Sequence, residues 1–129
     1  MQKGISEEVG VDVSGGEIRY CWYPGHGIQG DGEDFAVMEF SRQAGAALAE
    51  ALSAGGDWQF GQFPQELKEK AFESVYSHES LIDWDQLSGS GWYYFRDAAG
   101  GTGSYRTADY IAAVYDPEHR TLYFFEWHQ

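Results

Sequence analysis

The stretches YRTADYIAAVY, residues 105–115, and RTLYFFEW, residues 120–127, decide the fold class of this chain. Both are rich in aromatic and β-branched residues, a composition typical of β-strands. Between them, Asp116 and Pro117 suit the first two positions of a type I turn. The segment therefore predicts an antiparallel hairpin. A further aromatic strand at 91–96, GWYYFR, extends the hairpin into a C-terminal β-meander.

The final strand of this meander is apolar on both of its predicted faces. Successive side chains of a strand point to opposite sides of the sheet. The two sets are Leu122, Phe124 and Glu126 on one face and Tyr123, Phe125 and Trp127 on the other. One face can lie on helices, and the other is either buried by something else or exposed as an interaction patch. If this strand forms a sheet edge, a homodimer is as plausible as a monomer.

The N-terminal third predicts a second hairpin. Residues 1–8 are polar and are expected to be frayed. The alternating run VGVDVS at 9–14 precedes a Gly15-Gly16 turn signal, and EIRYCWY at 17–23 is typical of a strand. These two runs are therefore predicted to pair.

Helices are predicted in the middle of the chain. Residues 35–40 favour a strand, and Ser41 can cap a helix over 42–54, which is rich in Ala and Leu. One continuous helix across both segments is the alternative. A second helix is predicted from Pro64 to His78, because apolar residues recur there at helical spacing.

Together these elements predict one α+β domain over residues 1–129. We expect an antiparallel sheet of about five or six strands with two helices packed on one face. A chain of 129 residues, 43% of them hydrophobic, is large enough to bury a core without a metal or a disulfide. Cys21, the single cysteine, cannot form an intrachain disulfide.

Charge is the most informative feature of the composition. The chain carries 21 Asp and Glu against 8 Lys and Arg, a net charge of −13. Small soluble domains ordinarily carry a net charge of magnitude about 2–8. Such a field repels nucleic acid and anionic membranes and attracts basic proteins, so neither nucleic acid nor membrane is an expected direct partner. Solubility, or adaptation to a salty cytoplasm, is the alternative explanation of the acidity.

The N-terminal sequence has no apolar run typical of a signal peptide, and a cytoplasmic location is expected. Catalytic motifs are incomplete. His78-Glu79 begins a zinc-binding H-E-x-x-H motif, but Ile82 stands where the second histidine belongs. Asp83 begins an incomplete calcium loop, with Leu87 at its fifth position. We therefore predict no catalytic residues and no cofactor.

One loop keeps an enzymatic alternative open. The segment from His26 to Asp34 holds one imidazole and three carboxylates among glycines. Its candidate ligands for a cation are His26, Asp31, Glu33 and Asp34. Oxygen-rich ligands favour Mg²⁺, Mn²⁺ or Ca²⁺ over zinc. The alternative function is thus a metal-dependent or acid/base enzyme, or a small-ligand binder, that uses this loop.

The favoured function is that of a small acidic inhibitor that occludes a basic protein. Its predicted acidic contact residues are Asp31, Glu33, Asp34, Glu39, Glu79, Asp83 and Asp85. Its predicted aromatic anchors are Trp84, Trp92 and Trp127. Immunity proteins and antitoxins that block a nuclease toxin fit this composition. So do nucleic-acid mimics, such as anti-restriction and anti-CRISPR proteins, that block a nucleic-acid-binding effector.

Overall fold

A computed structural model describes residues 2–22, 32–54, 56–67, 90–97 and 110–128 of the chain. The helices whose bounds lie within these ranges are α1 (Gln2–Val9) and α2 (Arg42–Ser53). The strands are β1 (Glu17–Trp22), β2 (Gly32–Glu39), β3 (Gln59–Gln62), β4 (Ser90–Asp97), β5 (Tyr110–Asp116) and β6 (Thr121–His128). They form a single six-stranded sheet in the order β1-β2-β6-β5-β4-β3, with every neighbouring pair antiparallel. The predicted α+β class is confirmed.

The C-terminal hairpin forms as predicted, with β5 and β6 joined by the turn that begins at Asp116. One carboxylate oxygen of Asp116 accepts hydrogen bonds from the backbone N–H of Glu118 at 3.0 Å and of His119 at 3.3 Å. β6 does not form a sheet edge, since it lies between β2 and β5. Its two apolar faces reflect this central position, because both sides of a central strand can be covered.

The prediction of a frayed N-terminus is wrong. Residues 2–9 form α1, whose Ile5 and Val9 are 0% and 1% exposed. These side chains are four residues apart, so they share one face of the helix and anchor it on the sheet. The predicted strand at 9–14 is wrong as well. Gly10 ends the helix at φ 74°, and the chain then turns so that the Val13 amide donates to the Ser6 hydroxyl at 2.9 Å.

As a consequence, β1 does not pair with residues 9–14. It pairs with β2. The residues that connect these two strands, 23–31, lie outside the described part of the chain. The predicted strand at 35–40 is confirmed, although β2 begins three residues earlier, at Gly32. The end of the predicted cation-binding loop, residues 32–34, is therefore part of the sheet.

α2 confirms the predicted helix at 42–54 and its cap. The Ser41 hydroxyl accepts a hydrogen bond from the Ala44 amide at 3.1 Å. The helix lies close to the sheet at Gly45, where an added Cβ would be 2.9 Å from the Tyr115 hydroxyl oxygen. Glycine at this position thus permits the close packing of α2 on β5.

Both faces of the sheet are apolar. On one face, α1 and α2 cover a cluster that includes Met38, Phe124 and Tyr115. Two helices thus pack on this face, but only α2 belongs to the predicted pair: α1 takes the place expected for the helix that starts at Pro64. The cluster on the opposite face includes Phe125 and Leu67, and residues 65–67 are the helical start of the segment predicted from Pro64. The rest of that predicted helix lies outside the described residues.

β3 is short and was not predicted. It pairs with β4 and leaves Phe60 58% exposed, in edge-to-face contact with Trp92 at a ring-centroid distance of 5.0 Å. Among the described residues, no helix is long and apolar enough to cross a membrane.

Candidate functional site

The predicted contact residues fall into two groups with respect to the structure. Six of them lie outside the described residues: His26, Asp31, Glu79, Asp83, Trp84 and Asp85. Five have a described backbone: Glu33, Asp34, Glu39, Trp92 and Trp127. A role in partner binding remains a prediction for all of them, and the same holds for the cation-binding role of the loop that begins at His26.

The register of β2 and β6 brings two predicted contact positions together. Glu33 pairs with Trp127, and the adjacent Asp34 pairs with Glu126. The side chains of Glu33, Asp34 and Trp127 lie outside the described part of the structure. Glu39 stands at the far end of the same strand, about 17 Å from Asp34 at the usual rise of a strand. The predicted acidic residues of β2 therefore lie at opposite ends of the strand.

At its end of β2, Glu39 takes part in an ion-pair network with β1. Arg19 donates from Nε to the Glu39 carboxylate at 2.7 Å and from Nη1 to the Glu17 carboxylate at 3.3 Å. A β-bulge between Ile18 and Tyr20 shifts the register, and Arg19 occupies the extra position beside both carboxylates. All three side chains are at least half exposed. Such pairs add only about 0–1 kcal/mol to stability.

Partly exposed aromatic side chains lie next to this network. In the neighbouring row, Tyr20 pairs with Val37, which in turn pairs with Tyr123, and all three are partly buried. They lie on the face of the sheet opposite α1 and α2, packed against the edge of the second apolar cluster. We name this surface the acid–aromatic margin: Glu17, Arg19, Tyr20, Val37, Glu39 and Tyr123.

The sequence-based choice of anchors did not include Tyr20 and Tyr123. Alternation along β6 was the available signal, because it places Tyr123 and Trp127 on one face. Trp92, by contrast, lies on the helix-covered face, beside the core and against Phe60. The structure therefore does not bring Trp92 together with Glu39.

A second polar group occupies the β5–β6 turn. Nδ1 of His119 lies 2.6 Å from a carboxylate oxygen of Asp116, whose side chain is 9% exposed. This hydrogen bond is the main cause of a raised pKa of the His119 imidazole, and the negative charge of Asp116 is the second cause. With Glu118, these residues place three potential ligand atoms within 4.8 Å of one another. The bonds to His119 and to the turn amides account for the position of Asp116, so we assign no ion to this turn.

Other shifts in ionisation arise from local structure. Burial raises the pKa of the Tyr115 phenol, which packs under α2. Hydrogen bonds from the Ser14 hydroxyl and amide lower the pKa of the exposed Asp12 carboxyl. Asp12 therefore stays ionised to lower pH than an ordinary aspartate.

The function of the chain has to be argued from this geometry and charge, because comparison with known proteins gave no match. No family model matches the chain, and neither a curated protein nor a solved structure matches it significantly.

Proposed function

We propose that this protein is a small acidic inhibitor that binds and occludes a basic protein. The observation that carries the proposal is the acid–aromatic margin, where two exposed carboxylates, which share Arg19 and leave one negative charge in excess, stand beside partly exposed tyrosines. Acidic groups speed encounter with a basic partner, whereas buried aromatic contacts slow its dissociation. The net charge of −13 reinforces the attraction.

The partner we propose is a nuclease toxin or a nucleic-acid-binding effector. Proteins that bind nucleic acid present basic clefts, because they must neutralise phosphates. In toxin immunity, the carboxylates would cover such a cleft. In nucleic-acid mimicry, they would take the places of phosphates, as in anti-restriction and anti-CRISPR proteins. A competing DNA duplex should displace either form, because both cover the cleft, so the identity of the captured partner, toxin or effector, separates them.

The test is capture of partners from host lysate by the tagged protein. The margin variant is Glu17→Gln/Glu39→Gln. Its matched control is Glu7→Gln/Glu50→Gln, which removes two exposed carboxylates from α1 and α2. Both variants change the net charge of −13 by two units. We expect one basic protein, bound in equal molar amount by the wild type and the control and strongly depleted in the margin variant.

Two results would count against this proposal. Equal capture by both variants would show that binding depends on net charge and not on the margin. Absence of any basic partner at low salt would favour the alternative, a cation- or ligand-binding loop from His26 to Asp34. In that case, calorimetric titration with Mg²⁺, Mn²⁺ and Ca²⁺, repeated on Asp31→Ala/Glu33→Ala/Asp34→Ala, would test the loop directly.

A further inference from the structure

A cavity lies where the C-terminal ends of α1 and α2 meet the segment before β3. Its volume is about 120 Å³, and its lining includes Val9, Leu52, Asp57, Trp58 and Tyr94. An apolar cavity of roughly 150 Å³ is large enough to hold benzene. The space is therefore suited to a group of a few heavy atoms and not to a larger ligand.

The backbone around this cavity is electronegative. The last turns of both helices contribute to its lining, and neither turn contains a basic residue. The C-terminal end of a helix carries a partial negative charge of about half a unit. The carboxylate of Asp57, an exposed residue, adds to the same region. The cavity therefore attracts a cation and repels an anion.

Two aromatic side chains form part of the wall. Trp58 and Tyr94 are 8% and 5% exposed, and their ring centroids are 5.5 Å apart. The indole Nε1 of Trp58 donates to the Val9 carbonyl at 2.9 Å, so its polar hydrogen is already used. The remaining surface of the indole is its π-system, which attracts cations.

One cation of the chain already reaches this wall. Arg96 donates from Nε to the Tyr94 hydroxyl at 3.0 Å. A second cation should therefore enter from the Asp57 side, where the carboxylate and the helix ends contribute negative potential.

We infer that this cavity binds a guanidinium group. Guanidinium is planar, stacks on aromatic rings and is more weakly hydrated than an ammonium group, so it enters an aromatic-walled cavity at lower cost. Its positive charge matches the negative potential of the two helix ends and of Asp57. The site is independent of the acid–aromatic margin, which lies on the other face of the sheet. Two sources supply this group, an arginine side chain of a protein and free arginine, and the experiment distinguishes them.

The experiment is a titration followed by ¹H–¹⁵N NMR of the full chain, with the indole N–H of Trp58 as the reporter. The probes are N-acetyl-arginine amide, free arginine and the neutral isostere N-acetyl-citrulline amide. We expect a saturable shift with an arginine compound and none with the citrulline compound. Tighter binding of the blocked amide identifies a protein side chain as the source, and tighter binding of the free amino acid identifies the metabolite.

Matched variants test the role of charge at the cavity. Asp57→Asn should weaken arginine binding by roughly two- to fivefold, the range expected for one exposed ion pair. Glu50→Gln removes an exposed carboxylate from α2 and should leave the affinity unchanged. Because Asp57 is exposed, its replacement should preserve the dispersed NMR spectrum of the fold. The inference is overturned by an equal response to citrulline, by no response to either arginine compound, or by unchanged affinity in Asp57→Asn.

Discussion

The contact between His119 and Asp116 makes the stability of the chain depend on pH. The hydrogen bond raises the pKa of the imidazole in the folded state. Protonation of His119 therefore stabilises the fold, fully so below the unfolded pKa of about 6.5. This contribution is lost as pH rises through the folded pKa. We expect the free energy of unfolding of the wild type to fall relative to that of His119→Gln as pH rises above about 6.5.

Urea titrations across this pH range measure the effect, and an NMR titration of the imidazole gives its pKa. Glu118→Gln is the control, because the charge of Glu118 is the weakest cause of the shift. It should retain most of the pH dependence. Parallel stability curves for the wild type and His119→Gln would contradict the prediction.

Alanine substitutions at two glycines distinguish the effect of close packing on stability from the effect of backbone entropy. A Cβ added at Gly91 would lie 2.5 Å from the Tyr115 carbonyl oxygen and 2.6 Å from the Phe63 ring. We expect Gly91→Ala to lower the free energy of unfolding by about 1–3 kcal/mol, through forced displacement of its neighbours. Gly4 in α1 has nothing within 4 Å, so Gly4→Ala should raise stability by about 0.5–1 kcal/mol. Urea unfolding measures both, and a stabilised Gly91→Ala would refute the packing argument.

At the scale of elements, α1 is expected to be an integral part of the fold. Ile5 is fully buried in the main apolar cluster. Ile5→Ala should therefore lower the free energy of unfolding by about 2–5 kcal/mol. Glu7→Ala on the exposed side of the same helix should stay within about 0.5 kcal/mol. If both variants were near neutral in urea unfolding, the helix would not be docked on the sheet in solution.

The elements also show what could be predicted from sequence. The β5–β6 hairpin and α2 were predictable because a turn and a cap are local signals at Asp116 and Ser41. α1 was missed because its apolar stripe within residues 2–9 rests on Ile5 and Val9, among polar neighbours. The pairing of β1 with β2 was missed because it joins residues that are distant in sequence, and no local pattern fixes such a register.

The candidate site likewise combines features that are local in sequence with features that depend on distant residues. The acidic character of Glu39 can be predicted from sequence alone. Its neighbours cannot, because the bulge that places Arg19 between Glu17 and Glu39 exists only once β1 and β2 are paired. The cavity was missed for a related reason, since Val9 and Trp58 are 49 residues apart in the chain.

For the whole molecule, charge is distributed over more than one surface. The acid–aromatic margin lies on one face of the sheet, and the cavity at the helix ends lies on the other. Three of the described arginines already donate to groups of their own chain: Arg19, Arg96 and Arg120. Internal contacts thus involve at least three of the eight Lys and Arg residues, and a net negative field remains for partners.

That field should also act on the stability of the fold. A net charge of −13 in one compact domain produces self-repulsion, which screening by salt relieves. Added NaCl also weakens surface ion pairs such as that between Arg19 and Glu39, but each is worth only about 0–1 kcal/mol. We expect repulsion to dominate, so the urea midpoint should rise with NaCl and level off near 1 M, where the screening length is about 3 Å. Glu7→Gln/Glu50→Gln, with two fewer charges, should show a smaller rise. A midpoint that is flat or falls with salt would mean that local ion pairs outweigh the net charge.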